Sequence, residues 1–265
     1  MDNFVLMALL AAIGTWFLTA LGAATVAFFK SPNPKVLNVT LGFASGVMIA
    51  ASFWSLLLPA LEGATESGKN AFFILTIGFL IGAGFMFFSD KIVSYTKNKI
   101  TRPNKVNEKI NRITMLVLSI TLHNIPEGLA VGVVFGALKF SDFTSETLLG
   151  AFSVALGIGI QNFPEGAAVS LPLRREGYSR LKSFTMGQAS AMVEPVAAIV
   201  GALLVVYIKG ILPFALSFAA GAMVLVAVHE LIPECQKMQS EKPYLATMGI
   251  ISGFAFMMLL DVALG

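Results

Sequence analysis

Apolar residues along this chain gather in long runs, at about 4–29, 36–60, 71–89, 113–138, 147–171, 183–208, 211–233 and 244–264. At 1.5 Å per helical residue, runs of about 20 residues cross a hydrocarbon core of roughly 30 Å. Eight transmembrane helices are predicted. The connections between them are short, the longest being a loop at 90–112. No soluble domain is left over, so one transmembrane domain covers 1–265 and function must reside in the bundle. The fold class is therefore an all-α polytopic membrane protein.

Composition agrees. Hydrophobic residues make up 56% of the 265-residue chain, charged residues only 12%, and mean hydropathy is +0.81; ordinary globular proteins carry about 25% charged residues. The single cysteine, Cys235, excludes an internal disulfide and any site built from several thiolates.

Charge placement sets the orientation. With the loops assigned alternately to two sides, fifteen of the eighteen lysines and arginines fall on one side. Seven of them lie in or beside the 90–112 loop, and only Lys69, Lys139 and Lys209 fall on the other side. The positive-inside rule makes the 90–112 loop cytoplasmic and leaves both termini outside. A different helix count would scramble this split. The basic residues serve as topology determinants beside anionic lipid, so the expected partners are the bilayer and no nucleic acid. No lysine or arginine lies within a predicted span, so a carboxylate buried there has no basic side chain to pair with.

Two echoes run through the chain. His123-Asn124-Ile125-Pro126-Glu127-Gly128 returns 38 residues later as Gln161-Asn162-Phe163-Pro164-Glu165-Gly166, on the fourth and fifth helices. FASGVM from Phe43 in the second helix returns as FAAGAM from Phe218 in the seventh, with Pro59 and Pro233 following about 16 residues on. Both pairs run in opposite directions through the membrane. Such pairing marks an inverted-repeat transporter with its substrate site at the midplane. A 3+2+3 arrangement follows, with helices one to three repeated as six to eight and four and five as the central pair.

The central motifs carry metal-binding chemistry. His123 and Glu127 stand at i and i+4 on one helix face, as do Gln161 and Glu165. Pro126 and Pro164 free the carbonyls of Leu122 and Ile160, a kink tolerated at membrane depth where it lines a cavity. Counting from Arg112, His123 to Glu127 lie roughly 16–22 Å from the cytoplasmic end. Glu165 and Glu194 fall at a similar level. Three carboxylates at that depth must be protonated, solvated or neutralised by a bound cation, and the accompanying imidazole and amides favour the cation. Imidazole, carboxylate and amide oxygen suit Zn²⁺, Fe²⁺, Mn²⁺ or Cd²⁺, whereas the lack of thiolates argues against Cu⁺. Two carboxylates between two ligand pairs can bridge two metals.

These features resemble the ZIP (Zrt/Irt-like protein) family, and more narrowly its bacterial GufA-like branch. The resemblance rests on the eight spans, HNIPEG, QNFPEG, Glu194-Pro195 and the HELIPE run in the seventh helix. It implies import of divalent transition metals across the inner membrane of a bacterium, through a binuclear site with alternating access of the elevator type. By position, His123, Glu127, Gln161 and Glu165 with Met48 would form the primary metal site. Asn124, Asn162 and Glu194 would complete the second around the shared Glu127 and Glu165. Gln161 stands where many relatives carry a second histidine, and Asn162 where close relatives carry aspartate, which should broaden selectivity. The metals are substrate; no catalytic cofactor is expected.

Flanking residues suggest a path. His229, Glu230 and Glu234 lie near the cytoplasmic ends with Asp90 and are expected to form an exit site. Ser52 and Ser55 share a helix-two face with Met48 and are expected to line the entrance. Gly78, Gly82 and Gly84 on helix three offer a homodimer contact. The carrier is expected to move helices one, four, five and six past a scaffold of two, three, seven and eight. Two other functions compete. A cation or proton channel would need the carboxylates but not two mixed ligand pairs. An intramembrane metalloenzyme is suggested by HELIP, which begins like HExxH, but Pro233 occupies the second histidine position. An enzyme is therefore not expected.

Overall fold

The computed structural model describes residues 3–29, 33–100, 105–141, 143–208, 210–237 and 244–264. Among them, eight helices are long and apolar enough to span a bilayer: α1 (Asn3–Ala27), α2 (Lys35–Glu66), α3 (Ala71–Ile92), α4 (Ile120–Ala137), α5 (Ser145–Arg175), α6 (Arg180–Tyr207), α7 (Leu212–Gln236) and α8 (Tyr244–Leu264). The chain is an all-α polytopic membrane protein. The segment read as a loop at 90–112 is helical on both sides of 101–104: the α3 helix continues to Ile100 and the α4 helix begins at Lys105. Hydropathy marks where a membrane span ends, and backbone hydrogen bonds carry the helix further.

The helices pack in a pattern that the 3+2+3 repeat dictates. α1 lies along α5 and α2 along α8. Exchanging one, two, three and four with six, seven, eight and five turns these pairs into α6 along α4 and α7 along α3, the other two extensive contacts. The weaker contacts obey the same exchange, α2 with α5 matching α7 with α4.

Lipid tails are as apolar as leucine, so such pairs are held by close packing, with small residues at the crossings. A Cβ on Gly253 of α8 would strike the Phe43 carbonyl of α2, and one on Gly82 of α3 would strike the Phe218 carbonyl of α7. Phe43 and Phe218 head the FASGVM and FAAGAM echoes, so the repeat extends to individual contacts. This corrects the reading of the α3 glycines as a dimer surface. Gly78 and Gly82 are packed against α7 of the same chain at Ser217 and Phe218, and Gly84 alone of the three has nothing within 4 Å.

Both echoes also wind into a π-helical stretch, Ser52–Leu57 in α2 and Ala227–Leu231 in α7. The cause is two residues downstream. Pro59 and Pro233 have no N–H for the carbonyls of Ser55 and His229, and each ring crowds that carbonyl. A wider turn relieves the crowding, with Leu58 and Ile232 donating five residues back to Phe53 and Ala227.

Replacing Gly82 by leucine should lower bundle stability by about 2–3 kcal/mol, visible as an earlier loss of the monodisperse peak when detergent-solubilised protein is heated before size exclusion. Gly84→Leu, in open space, should melt like wild type.

Candidate metal site

The site is built at a break in α6. Pro195 has no N–H to continue the ladder, so the helix stops after Ala189 and restarts at Val193. The Glu194 N–H bonds to the Ala191 carbonyl, which leaves the Ser190 carbonyl available, and the Asn124 amide donates to it at 3.0 Å. Glu194, in the first turn of the restarted helix, is fully buried. The Asn162 amide donates to both its oxygens at 2.9 Å, and the Thr15 hydroxyl of α1 donates to Oε2 at 2.6 Å. The neighbouring Gln161 amide donates to Glu127 Oε1 at 2.7 Å. Gly128 and Gly166 lie against the backbones of Glu194 and Thr19, so α4 meets α6 and α5 meets α1 without side chains between them.

The accounting of donors and acceptors is one-sided. All three amide N–H₂ groups are engaged as described. Their oxygens, Asn124 Oδ1, Gln161 Oε1 and Asn162 Oδ1, are buried without a hydrogen-bond partner, as is Glu127 Oε2. Buried acceptors without donors cost about 1–3 kcal/mol each. Four of them on α4 and α5 make this a candidate cation site; all four are oxygens, the donors of hard divalent ions, and the nitrogen that a borderline ion prefers would have to come from His123.

His123 lies one turn from Glu127 but faces elsewhere. Its Nε2 is 2.7 Å from Glu230 Oε1 and 3.3 Å from Asp90 Oδ1. The structure thus divides the expected ligands: Glu127 with Gln161, Glu194 with Asn162, and His123 with the residues expected at the exit. The imidazole Nε2 stands between these two carboxylates, toward the basic end. The ligand atoms of Asp90, His123 and Glu230 lie within 4.8 Å of one another, close enough to share one ion. Glu165 and His123 both line a cavity of about 410 Å³ that continues past Glu230 to the exposed His229 and Glu234. These residues mark a path from the centre to the basic end of the bundle.

At the opposite end the construction recurs with different chemistry. Ser55, in the α2 π-stretch, donates to Asp261 Oδ1 of α8 at 2.8 Å, and Ser153 of α5 donates to the same oxygen at 3.1 Å. Ser55 follows Gly46 by nine residues and Glu230 follows Gly221 by nine; Asp261 follows Gly253 by eight and Asp90 follows Gly82 by eight. The two ends are repeat equivalents. The other residues expected near the entrance do not join this group. Ser52 is buried with its hydroxyl on the Met48 carbonyl of its own helix at 2.8 Å. Met48 is buried in the apolar core with Val47, Leu56 and Ile158.

Sequence reasoning missed Asp261 and Thr15. Asp261 sits four residues from the chain end, where an acidic residue reads as an ordinary helix terminus, and only its equivalence to Asp90 points to it. Thr15 carries no signal in the sequence; its partner is 179 residues away.

Comparison with known proteins agrees with this arrangement. A family model described as ZIP zinc transporter matches residues 4–113 and 106–261. The chain is 40% identical to human zinc transporter ZIP11, over 98% of each sequence. It is 35% identical to zinc transporter GufA of Myxococcus xanthus over 93% of this chain and 94% of that protein. It is 34% identical to zinc transporter ZIPB of Bordetella bronchiseptica over 93% and 78%. These relatives are transporters rather than enzymes. With its fold, its paired motifs and nearly its whole length accounted for, the chain belongs to the ZIP zinc transporter family.

Proposed function

We propose that the central cluster carries Zn²⁺, and with lower preference Fe²⁺, Mn²⁺ and Cd²⁺, across the inner membrane of a bacterium into the cytoplasm. The observation that carries this is the set of buried acceptor oxygens without donors on Asn124, Glu127, Gln161 and Asn162. Glu165 and Glu194 complete the central ligand set, with His123 one turn from Glu127 on the way to the exit; Met48 packs in the apolar core. The bias of fifteen to three in basic residues supports a cytoplasmic 90–112 end with both termini outside. The cavity from Glu165 to His229 and Glu234 is then the exit, and Asp90, His123 and Glu230 hold the ion briefly on its way out.

Alternating access follows from the repeat. Asp261 with Ser55 and Ser153 closes the outer end in the described state, while the equivalent inner end opens to the cavity. Motion of α1, α4, α5 and α6 past α2, α3, α7 and α8 exchanges the two, because Ser153 belongs to the first group and Ser55 and Asp261 to the second. The lipid bilayer and a second copy of the chain are the remaining partners; the exposed apolar side chains of α3, including Leu80, Phe87 and Phe88, offer a surface to both. The whole chain works as one transmembrane domain. Among the described residues no feature favours the channel or enzyme alternatives.

Purified protein in liposomes loaded with a zinc-sensitive dye should take up Zn²⁺. Glu127→Ala, which removes the bare Oε2 and the Oε1 that holds Gln161, should cut the initial rate by more than about tenfold. Equal rates for the two proteins would reject the central site as the route. In the same assay with competing ions, Gln161→His should strengthen the discrimination of Zn²⁺ over Mn²⁺, since imidazole suits Zn²⁺ better than a carbonyl oxygen does.

A further inference from the structure

Thr15 is a polar residue buried in a span that no motif contains. It lies halfway along α1 with 2% of its surface exposed. Its hydroxyl oxygen is 2.6 Å from Glu194 Oε2 and 3.0 Å from the Ala12 carbonyl of its own helix. A hydroxyl has one proton, and the shorter distance to a carboxylate identifies Glu194 as its main acceptor. Next to it, Trp16 Nε1 donates to the Gln188 carbonyl at 3.1 Å, which fixes α1 against the first half of α6 beside the break.

The consequence passes through two more residues. Held at Oε2 by Thr15, the Glu194 carboxylate presents both oxygens to the Asn162 amide, each at 2.9 Å. That contact determines which way the Asn162 amide faces, because an amide turns its N–H₂ toward the acceptor and its oxygen the other way. Asn162 Oδ1 is therefore directed away from Glu194, buried and without a donor. Among the described residues Thr15 and Asn162 are the side chains bonded to Glu194, so without the hydroxyl both the carboxylate and the amide can turn.

We infer that Thr15 is a positioning residue for metal binding: through Glu194 it sets the orientation in which Asn162 offers its oxygen to the ion. The inference rests on the reading of Glu194 and Asn162 as part of the cation site. The neighbourhood of Thr15 sets the choice of variant. It also lines an apolar cavity of about 380 Å³ with Leu10, Leu18, Phe135 and Phe152; valine keeps the branched shape on that side and removes the hydroxyl, and its methyl cannot stand as near Glu194 Oε2 as the hydroxyl's 2.6 Å.

The test is a double-mutant cycle read by calorimetric titration of Zn²⁺ into the purified full-length protein, with Cd²⁺ as a second probe. Thr15→Val should weaken Zn²⁺ binding about tenfold, the loss typical when a ligand's orienting partner is removed. Thr15→Ser, which keeps the hydroxyl, should recover most of it. In a Glu194→Gln background, Thr15→Val should produce little further loss, because its effect passes through that carboxylate. A Thr15→Val effect that is absent, is not rescued by serine, or adds fully to that of Glu194→Gln overturns the assignment. If Glu194→Gln alone leaves Zn²⁺ binding unchanged, Glu194 is not part of the cation site, and the reading beneath the assignment fails instead.

Discussion

A carboxylate at the centre of a bilayer costs about 2.5–3.5 kcal/mol on insertion scales. This chain places Glu127, Glu165 and Glu194 there and keeps its lysines and arginines at the helix ends. That constraint shapes the surroundings. Amide N–H groups from Gln161 and Asn162 and the hydroxyl of Thr15 cover some of the carboxylate oxygens. They cover them incompletely, and the amide oxygens turned away in the process add further unpartnered acceptors. Under the proposed function, such a cluster, stabilised by neutral donors with several acceptors bare, suits a cation that arrives and leaves, where a lysine would pair with the carboxylates permanently.

The breaks in the helices follow from the same requirement. Pro195 interrupts α6 beside Glu194 and frees a backbone carbonyl to anchor Asn124. Pro59 and Pro233 widen α2 and α7 into π-turns at Ser55 and Glu230. Each interruption sits next to a polar side chain that reaches across to another helix. Close packing at glycines, where Gly253 of α8 meets Phe43 and Gly82 of α3 meets Phe218, holds α2 and α7 against their partners. The inverted repeat then supplies both ends of the path from one design. It gives one end the ionisable group Asp90, His123 and Glu230, and the other an aspartate held by two serines.

Much of this was legible in the sequence. Long apolar runs locate the spans because hydrocarbon thickness imposes a length. The NxPEG pair names the central residues because no membrane helix needs Asn, Pro and Glu in that order twice for packing alone. Tertiary geometry was not legible. The i, i+4 spacing put His123 on the face of Glu127 but could not show that Asp90 and Glu230, 33 and 107 residues away, would draw the imidazole toward themselves. Ser52 illustrates the limit of face arguments: its position beside Met48 suggested a path, yet its hydroxyl satisfies its own helix. Gly78 and Gly82 likewise read as an open surface because a sequence cannot say which neighbour a small residue admits.

A cation held by the buried acceptors of α4 and α5 would be seen in crystals of the protein grown with Cd²⁺, with data collected near an absorption edge that reveals the ion. Anomalous density is expected between α4 and α5, within coordination distance of Glu127 and of an amide oxygen of Gln161 or Asn162. Density confined to the Asp90, His123 and Glu230 group, with the central cluster unchanged at saturating Cd²⁺, would contradict that expectation.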